Sequence, residues 1–536
     1  MHVKTLQDIV VSSKNNFQND IALQIRSDDG YRRISFFDAY KKIARLAAHL
    51  KLLGVHPGDK VGILSENRPE WGLSYLAITY FGAIAVPLDA MLSTEELEYI
   101  ISDSETKTIF CSSALKLKHK LAASIILMED FDELPEREIP LPEINEDDLA
   151  AIVYTSGTTG YPKGVMLTHK NLVSNVLAVS KLFKIRPGDN FLSVLPLHHT
   201  FEATCGFLCP FYLGAKITYA ESLKSYNLLK NMQETKVTIM CGVPLLYNLF
   251  YDGIMRELNE KGSAAKMLFS LLLGISKIIK MQYVRRKLFL LIHKKLGGSI
   301  NFWVSGGAAI DPEIIKNFDL FGITICQGYG LTESSPILTC NNLQNNRIGS
   351  VGLPLPGVVI KITEDGEIIA RGPNIMKGYY KNPEQTSIVL RDGWLYTGDK
   401  GKIDSDGYVY ITGRIKDIIV TGSGVNVAPE ELEFHLNKIK GIKESCVLGA
   451  KVQSGAHRGM EEVFAVIIPD YDYLKKHAKH IKHEHVEMYI HGEIQKLNEK
   501  LAAYKRISKI KIRSIEFPKT STKKIRRYQV KREMGI

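Results

Sequence analysis

Apolar residues recur along this chain with two periods, and the period changes with position. Over residues 37–53 (FDAYKKIARLAAHLKLL) they fall three and four apart, the repeat of one helical face, and Gly54 followed by Pro57-Gly58 ends the pattern. Residues 60–64 read as a strand, 69–81 as a helix and 83–86 as a second strand. Strand and helix in alternation predict βα units on a parallel sheet. Residues 171–183 read as a further helix, 190–197 as a strand running into His198 and His199, and 300–304 as a strand ending on glycines. Beyond Val351 the runs shorten. Residues 358–363 and 367–370 flank Glu364-Asp365-Gly366, and 403–411 surround Asp406-Gly407, both hairpin signals. Helices over 430–436 and 486–501 then alternate with strands over 445–448 and 463–468.

At 536 residues the chain is too long for one core, while 45% hydrophobic and 24% charged content is that of a globular protein. The expected fold class is α/β: a large N-terminal domain, 1–415, of two α/β subdomains and a small β-rich subdomain at about 345–415, then a small α+β C-terminal domain, 416–536. A net charge of +11 and a pI near 9.0 point to anionic partners: nucleotides, coenzyme A, an acidic carrier protein, anionic lipid or nucleic acid. The seven cysteines are scattered through apolar surroundings without zinc-ligand spacing, and the first residues, MHVKTLQDIVVSSKNN, lack the apolar core of a signal peptide. No run approaches the ~18 apolar residues of a membrane span. A reducing cytoplasm fits both features.

Residues 154–169, YTSGTTGYPKGVMLTH, carry the densest chemistry. An apolar strand runs into Thr155, Ser156, Gly157, Thr158, Thr159 and Gly160, where glycines let backbone amides approach an anion, hydroxyls add donors, and Lys163 supplies a mobile positive charge. This is not a Walker A loop, which needs Gly-Lys-Ser/Thr at the head of a helix. Gly306, Gly307 and Ala308 follow a strand end and allow a flat ring to lie against backbone. Tyr329, Gly330, Thr332 and Glu333 bring an aromatic face, a hydroxyl for a phosphate oxygen and a carboxylate suited to Mg²⁺. His198 and His199 read as a structural pair, a metal site or a substrate wall.

The string 154–169 resembles the signature loop of the adenylate-forming superfamily, which contains acyl-CoA synthetases, luciferases and peptide-synthetase adenylation domains. Further strings resemble its core motifs in the same order: LPLHHTFE, QGYGLTE, WLYTGD, GRIKD with GSGVNVAPEELE, and PKTSTKKIRRYQV. The resemblance implies ATP, Mg²⁺ and coenzyme A as cofactors. It places His199 against the acyl group, Tyr329 on adenine, Thr332 on the α-phosphate, and Glu333 on magnesium, with Thr158 as a second candidate ligand. Asp399 and Arg414 would hold the ribose, Lys416 would be the hinge of a swinging C-terminal domain, and Lys524 would bridge the attacking carboxylate and the α-phosphate. One departure stands out: where the family usually has glycine just before that lysine, this chain has Lys523, so the tandem leaves open which lysine enters the site.

The implied reaction is attack of a carboxylate on the α-phosphate of Mg-ATP, then transfer of the acyl group to a thiol. The resemblance of HHTFE and of the basic-apolar insertion to long-chain members implies a medium-to-long-chain fatty acid, and coenzyme A is the expected thiol. Acyl carrier protein, an aryl or short-chain acid, and a regulator that has lost catalysis are the alternatives. The basic tail has no accompanying aromatic stacking pattern, so nucleic acid is not expected. Residues 266–296 combine Lys266, Lys277, Lys280, Arg285, Arg286, Lys287, Lys294 and Lys295 with many leucines, and no acid occurs between Glu260 and Asp311. Such helices either pack into a core with solvated lysines or make peripheral contact with an anionic membrane, here its inner face.

Overall fold

The computed structural model describes residues 3–155, 162–421, 426–451, 461–477, 486–521 and 523–536. The chain divides into two compact units: residues 1–361, 369–396 and 404–409 form one, and 362–368, 397–403 and 410–536 the other.

The first unit is built on two sheets. One runs, in spatial order, Gly378–Tyr379, Lys163–Thr168, Leu149–Thr155, Ile84–Leu88, Lys60–Leu64, Thr108–Cys111 and Ser124–Leu127. Its last five strands are parallel, as the alternating pattern predicts, and the first two are antiparallel additions. The second sheet has a parallel centre of Thr324–Gly330, Phe302–Ser305, Ile239–Gly242, Asn190–Ser193, Lys216–Tyr219 and Ile21–Ser27. Antiparallel strands close both of its edges.

Helix Pro69–Tyr80 is buried along its entire length, because it is apolar nearly all round and its one charged residue, Glu70, is paired with Arg32 and Arg68. Trp71 and Tyr75 stack within it, ring centroids 5.4 Å apart. At Gly72 an added Cβ would come within 2.5 Å of the Phe207 ring, so the close approach of that ring requires glycine there. All seven cysteines are buried and free. Among the described residues, no helix is long and apolar enough to cross a membrane.

The strand expected over 190–197 stops at Ser193. Pro196 has no amide to offer a ladder, and Asn67 takes over: its side chain donates to the Leu195 carbonyl at 2.5 Å and accepts from the Leu197 amide at 3.0 Å. The chain therefore leaves the sheet before the histidines and enters a π-helical turn, Glu202–Leu208.

In the second unit, Ile442–Lys451 pairs antiparallel with Glu461–Pro469, and Lys509–Ile512 runs parallel to the latter. Side chains alternate between two small cores. Val447, Val463, Ala465 and Ile467 face helices Pro429–Leu436 and Val486–Lys500, while Cys446, Val466 and Phe517 pack on the other side. Arg527 joins the layers through a two-pronged ion pair with Glu433, Nη2 to Oε2 at 2.7 Å.

Candidate active site

Thr155 ends strand Leu149–Thr155 directly opposite Lys163, which opens the returning strand. Ser156, Gly157, Thr158, Thr159 and Gly160 lie outside the described residues. The two ends of the expected phosphate loop are thus fixed by a sheet register. Lys163 is aimed by two groups that sequence reasoning missed: its Nζ donates to Gln385 Oε1 at 2.5 Å and lies 5.4 Å from the centre of the Tyr379 ring.

Tyr379 belongs to the added strand Gly378–Tyr379, paired opposite Val165. Its hydroxyl donates to Glu333 Oε1 at 2.8 Å. Burial, and then the Glu333 charge, hold this phenol well above its ordinary value, so it stays a donor. The string MKGYYKN offered one signal for it, a Gly-Tyr-Tyr step in an otherwise polar stretch.

Glu333 sits in the tight turn Thr332–Ser334, just after strand Thr324–Gly330, which presents Tyr329. The turn is bolted from behind. The Asn175 and Asn374 amides each donate to the Ser334 carbonyl at 3.1 Å, and the Met376 amide donates to the Glu333 carbonyl at 2.9 Å. Thr332 and Glu333 keep their side chains partly exposed while Ser334 is buried. With one carboxylate oxygen committed to Tyr379, Glu333 Oε2 remains to meet a hard cation such as Mg²⁺, which is the donor type that ion takes.

Gly306 follows strand Phe302–Ser305 and donates its amide to Gly242 at 3.1 Å. An added Cβ there would come within 3.0 Å of the Phe201 ring. Gly307, in the left-handed region at φ +79°, and Ala308 are exposed. His198 Nε2 lies 3.4 Å from Asp89 Oδ2, and the rings of His198 and His199 are 4.3 Å apart. Burial, reinforced by the neighbouring His198, pushes His199 down to about 3. A neutral imidazole suits an apolar wall.

The second unit supplies a separate cluster. Arg414 Nε lies 2.9 Å from Asp399 Oδ1. The backbone on either side of Asp399 is pinned: the Gly398 amide donates to Glu367 Oε1 at 2.8 Å, and the Ile415 amide donates to the Gly398 carbonyl at 2.9 Å. Lys416 is exposed in the turn that follows strand Val409–Arg414, where the Asp417 and Ile418 amides both donate to the Arg414 carbonyl.

Lys524 lies in a tight hairpin closed by the Thr520 amide on its carbonyl at 2.8 Å and by its own amide on Thr520 Oγ1 at 3.1 Å. Lys523 sits at the bend with φ +64°, the left-handed conformation that glycine adopts without strain. The residue Lys524 reaches solvent, yet crowding around its ammonium, and then the positive charge of Arg414, draw it down to about 8 against the pull of Asp399.

The chain belongs to the AMP-binding enzyme family, whose sequence profile matches residues 11–380. It is 30% identical to fatty acyl-CoA synthetase A of Dictyostelium discoideum, over 88% of this chain and 78% of that protein. It is 28% identical to a chloroplastic long-chain-fatty-acid–[acyl-carrier-protein] ligase, AEE15, of Arabidopsis thaliana, over 92% of this chain and 80% of that one. Among solved structures it is similar to ATP-bound MatB from Rhodopseudomonas palustris, with a TM-score of 0.78, 28% identity and 98% of each chain covered.

Proposed function

We propose that this enzyme is an acid–thiol ligase that activates a medium- or long-chain fatty acid with Mg-ATP and transfers the acyl group to coenzyme A. In the first half-reaction a fatty carboxylate oxygen attacks the α-phosphorus, the bond to the bridging oxygen breaks, and pyrophosphate leaves with its electron pair. In the second, a thiolate sulfur attacks the acyl carbon and expels AMP.

The observation that carries the reading is the Lys163–Tyr379–Glu333 constellation. A mobile cation and a magnesium-type carboxylate are aimed by one phenol, next to Thr332 and Tyr329. Glu333 would hold the magnesium ion, which neutralises phosphate charge as it builds. Lys163 reaches the leaving phosphates, and Thr332 donates to the α-phosphate. Asp399 accepts from the ribose hydroxyls, with Arg414 beside it. Lys524 counters the charge that develops on the pentavalent phosphorus. His199, neutral, lines the acyl group, and Lys416 is the hinge on which the C-terminal part, 416–536, moves between the half-reactions.

Transfer to acyl carrier protein is the second reading, favoured by the +11 net charge and by the likeness to the Arabidopsis carrier-protein ligase. Purified protein given Mg-ATP and a ladder of fatty acids, with coenzyme A and holo acyl carrier protein offered in parallel, decides between them. Acyl-CoA from long chains supports the proposal. Acyl carrier product alone moves the enzyme to the second class, and no pyrophosphate release with any fatty acid overturns both.

A further inference from the structure

Helix Ser263–Ile278 is apolar on two opposite faces. Phe269, Leu272 and Leu273 turn inward and pack on the core formed by Trp303, Phe318 and Phe321. Met267, Leu268, Leu271, Ile275 and Ile278 turn outward, falling at i, i+1, i+4, i+8 and i+11, within about 100° of one another around the axis. They are bare: Met267 is 78% exposed, Leu271 61% and Ile278 84%, and Met281 continues the stripe at 67%. An apolar surface of this kind on a folded chain needs a partner.

The charges around it divide by role. Arg285 and Arg286 are turned into the protein: Arg285 holds Asp319 Oδ2 at 2.5 Å and the Ile279 carbonyl at 2.7 Å, and Arg286 holds the Asn301 carbonyl at 2.8 Å. Lys295 pairs with Glu257. Lys266, Lys277, Lys280, Lys287 and Lys294 remain exposed. No acidic residue occurs from Lys261 to Ile310 to compensate them. The platform is rigid, because the Ser276 hydroxyl also ties the helix to the Leu320 carbonyl at 2.6 Å.

We infer that this outward stripe docks on the surface of a bilayer carrying acidic phospholipids, its leucines and methionines entering the headgroup boundary and its lysines meeting lipid phosphates. A convex helix face with long aliphatic side chains fits a fluid surface, whereas a peptide partner needs a groove. The excess of exposed lysines along 266–294, with no acid in that stretch, favours anionic lipid. The purpose of the contact rests on the fatty-acid reading, since such a substrate resides in membranes. The contact itself is measured without turnover, so it can fail while ligase activity stands.

The test is sedimentation of the full chain with phosphatidylcholine vesicles, with and without a substantial fraction of phosphatidylglycerol. The wild-type protein is expected to bind the anionic vesicles, far more weakly the neutral ones, and to be released by salt. L271E/I275E should lower binding at least about ten-fold, and K277Q and K280Q about five-fold each. All four positions face solvent, so the melting temperature and activity on a water-soluble medium-chain fatty acid should not move. Equal binding to both vesicle types, binding indifferent to these substitutions, or a dimer abolished by L271E/I275E without any vesicle binding would overturn the inference.

Discussion

The Tyr379 hydroxyl stands 2.8 Å from Glu333 Oε1, joining the short edge strand Gly378–Tyr379 to the turn after strand Thr324–Gly330. These residues are 46 positions apart, and the bond commits Oε1, leaving Oε2 for the proposed magnesium ion. Tyr379→Phe keeps the ring beneath Lys163 and removes only the donor. The magnesium concentration needed for half-maximal pyrophosphate exchange should rise by about ten-fold, the usual loss when a group that orients a metal ligand is removed. An unchanged magnesium dependence would reduce Tyr379 to packing.

Lys523 holds φ +64° in its hairpin, a conformation that suits the glycine the family usually has there, and substitution separates the roles of the two lysines. A β-carbon at φ +64° is strained, so Lys523→Gly should keep adenylation and stabilise the C-terminal unit by about 1 kcal/mol, read from its melting transition. Lys524→Ala should cut ATP–pyrophosphate exchange by about a hundred-fold or more while ATP binding persists. If Lys523→Gly is the variant that abolishes exchange, the roles are reversed.

The role proposed for Lys524 implies a pH dependence. Its pKa is lowered to about 8, so the ammonium is present below that value and is lost as the pH rises through it. Adenylation should therefore decline above about pH 8, and Lys524→Arg, whose guanidinium does not titrate in this range, should remove the decline even at a lower rate. A decline that persists in the arginine variant assigns it to another group.

Glu202 is wholly buried beside His199 and Phe201, and neither carboxyl oxygen meets a partner at full hydrogen-bonding geometry. Burial pushes it up from 4.5 to about 8, and the Ser193 hydroxyl with the Leu195 and Val194 amides opposes this only in part. Because the folded-state value is the higher one, the folded protein holds the proton more tightly. The resulting stability is complete below pH 4.5, declines as the pH rises, and is gone above about 8, a change on the order of 5 kcal/mol. Glu202→Gln should flatten that slope, so that the variant melts higher than wild type at about pH 8.5 but not at about pH 5. Parallel melting curves for the two proteins would exclude a buried neutral acid.

Lys416 occupies the turn after strand Val409–Arg414. Proline there locks φ and restricts Ile415, so Lys416→Pro should leave adenylation within a few-fold of wild type and slow thioester formation by about a hundred-fold. Equal loss in both half-reactions, followed by pyrophosphate release and acyl-CoA formation, would count against a hinge.

The sequence by itself determined the elements whose periods are unambiguous and the residue types that chemistry demands. Strand Lys60–Leu64 and helix Pro69–Tyr80 were legible because local pattern and burial agree, while Thr332, Glu333, Asp399 and Lys524 are proposed because their strings resemble those of a family whose reaction needs a hydroxyl, carboxylates and a cation. Only the tertiary structure decided how those groups are held. Tyr379 and Gln385 reach Lys163 through a sheet pairing more than two hundred residues long in sequence, which no local pattern encodes. Asn67 ends the strand before the histidines from 128 residues away. The helix Ser263–Ile278 shows the limit most plainly: its composition allowed either a buried or a lipid-facing arrangement, and the core accepts only one of its two apolar faces because Phe269, Leu272 and Leu273 fill the space available.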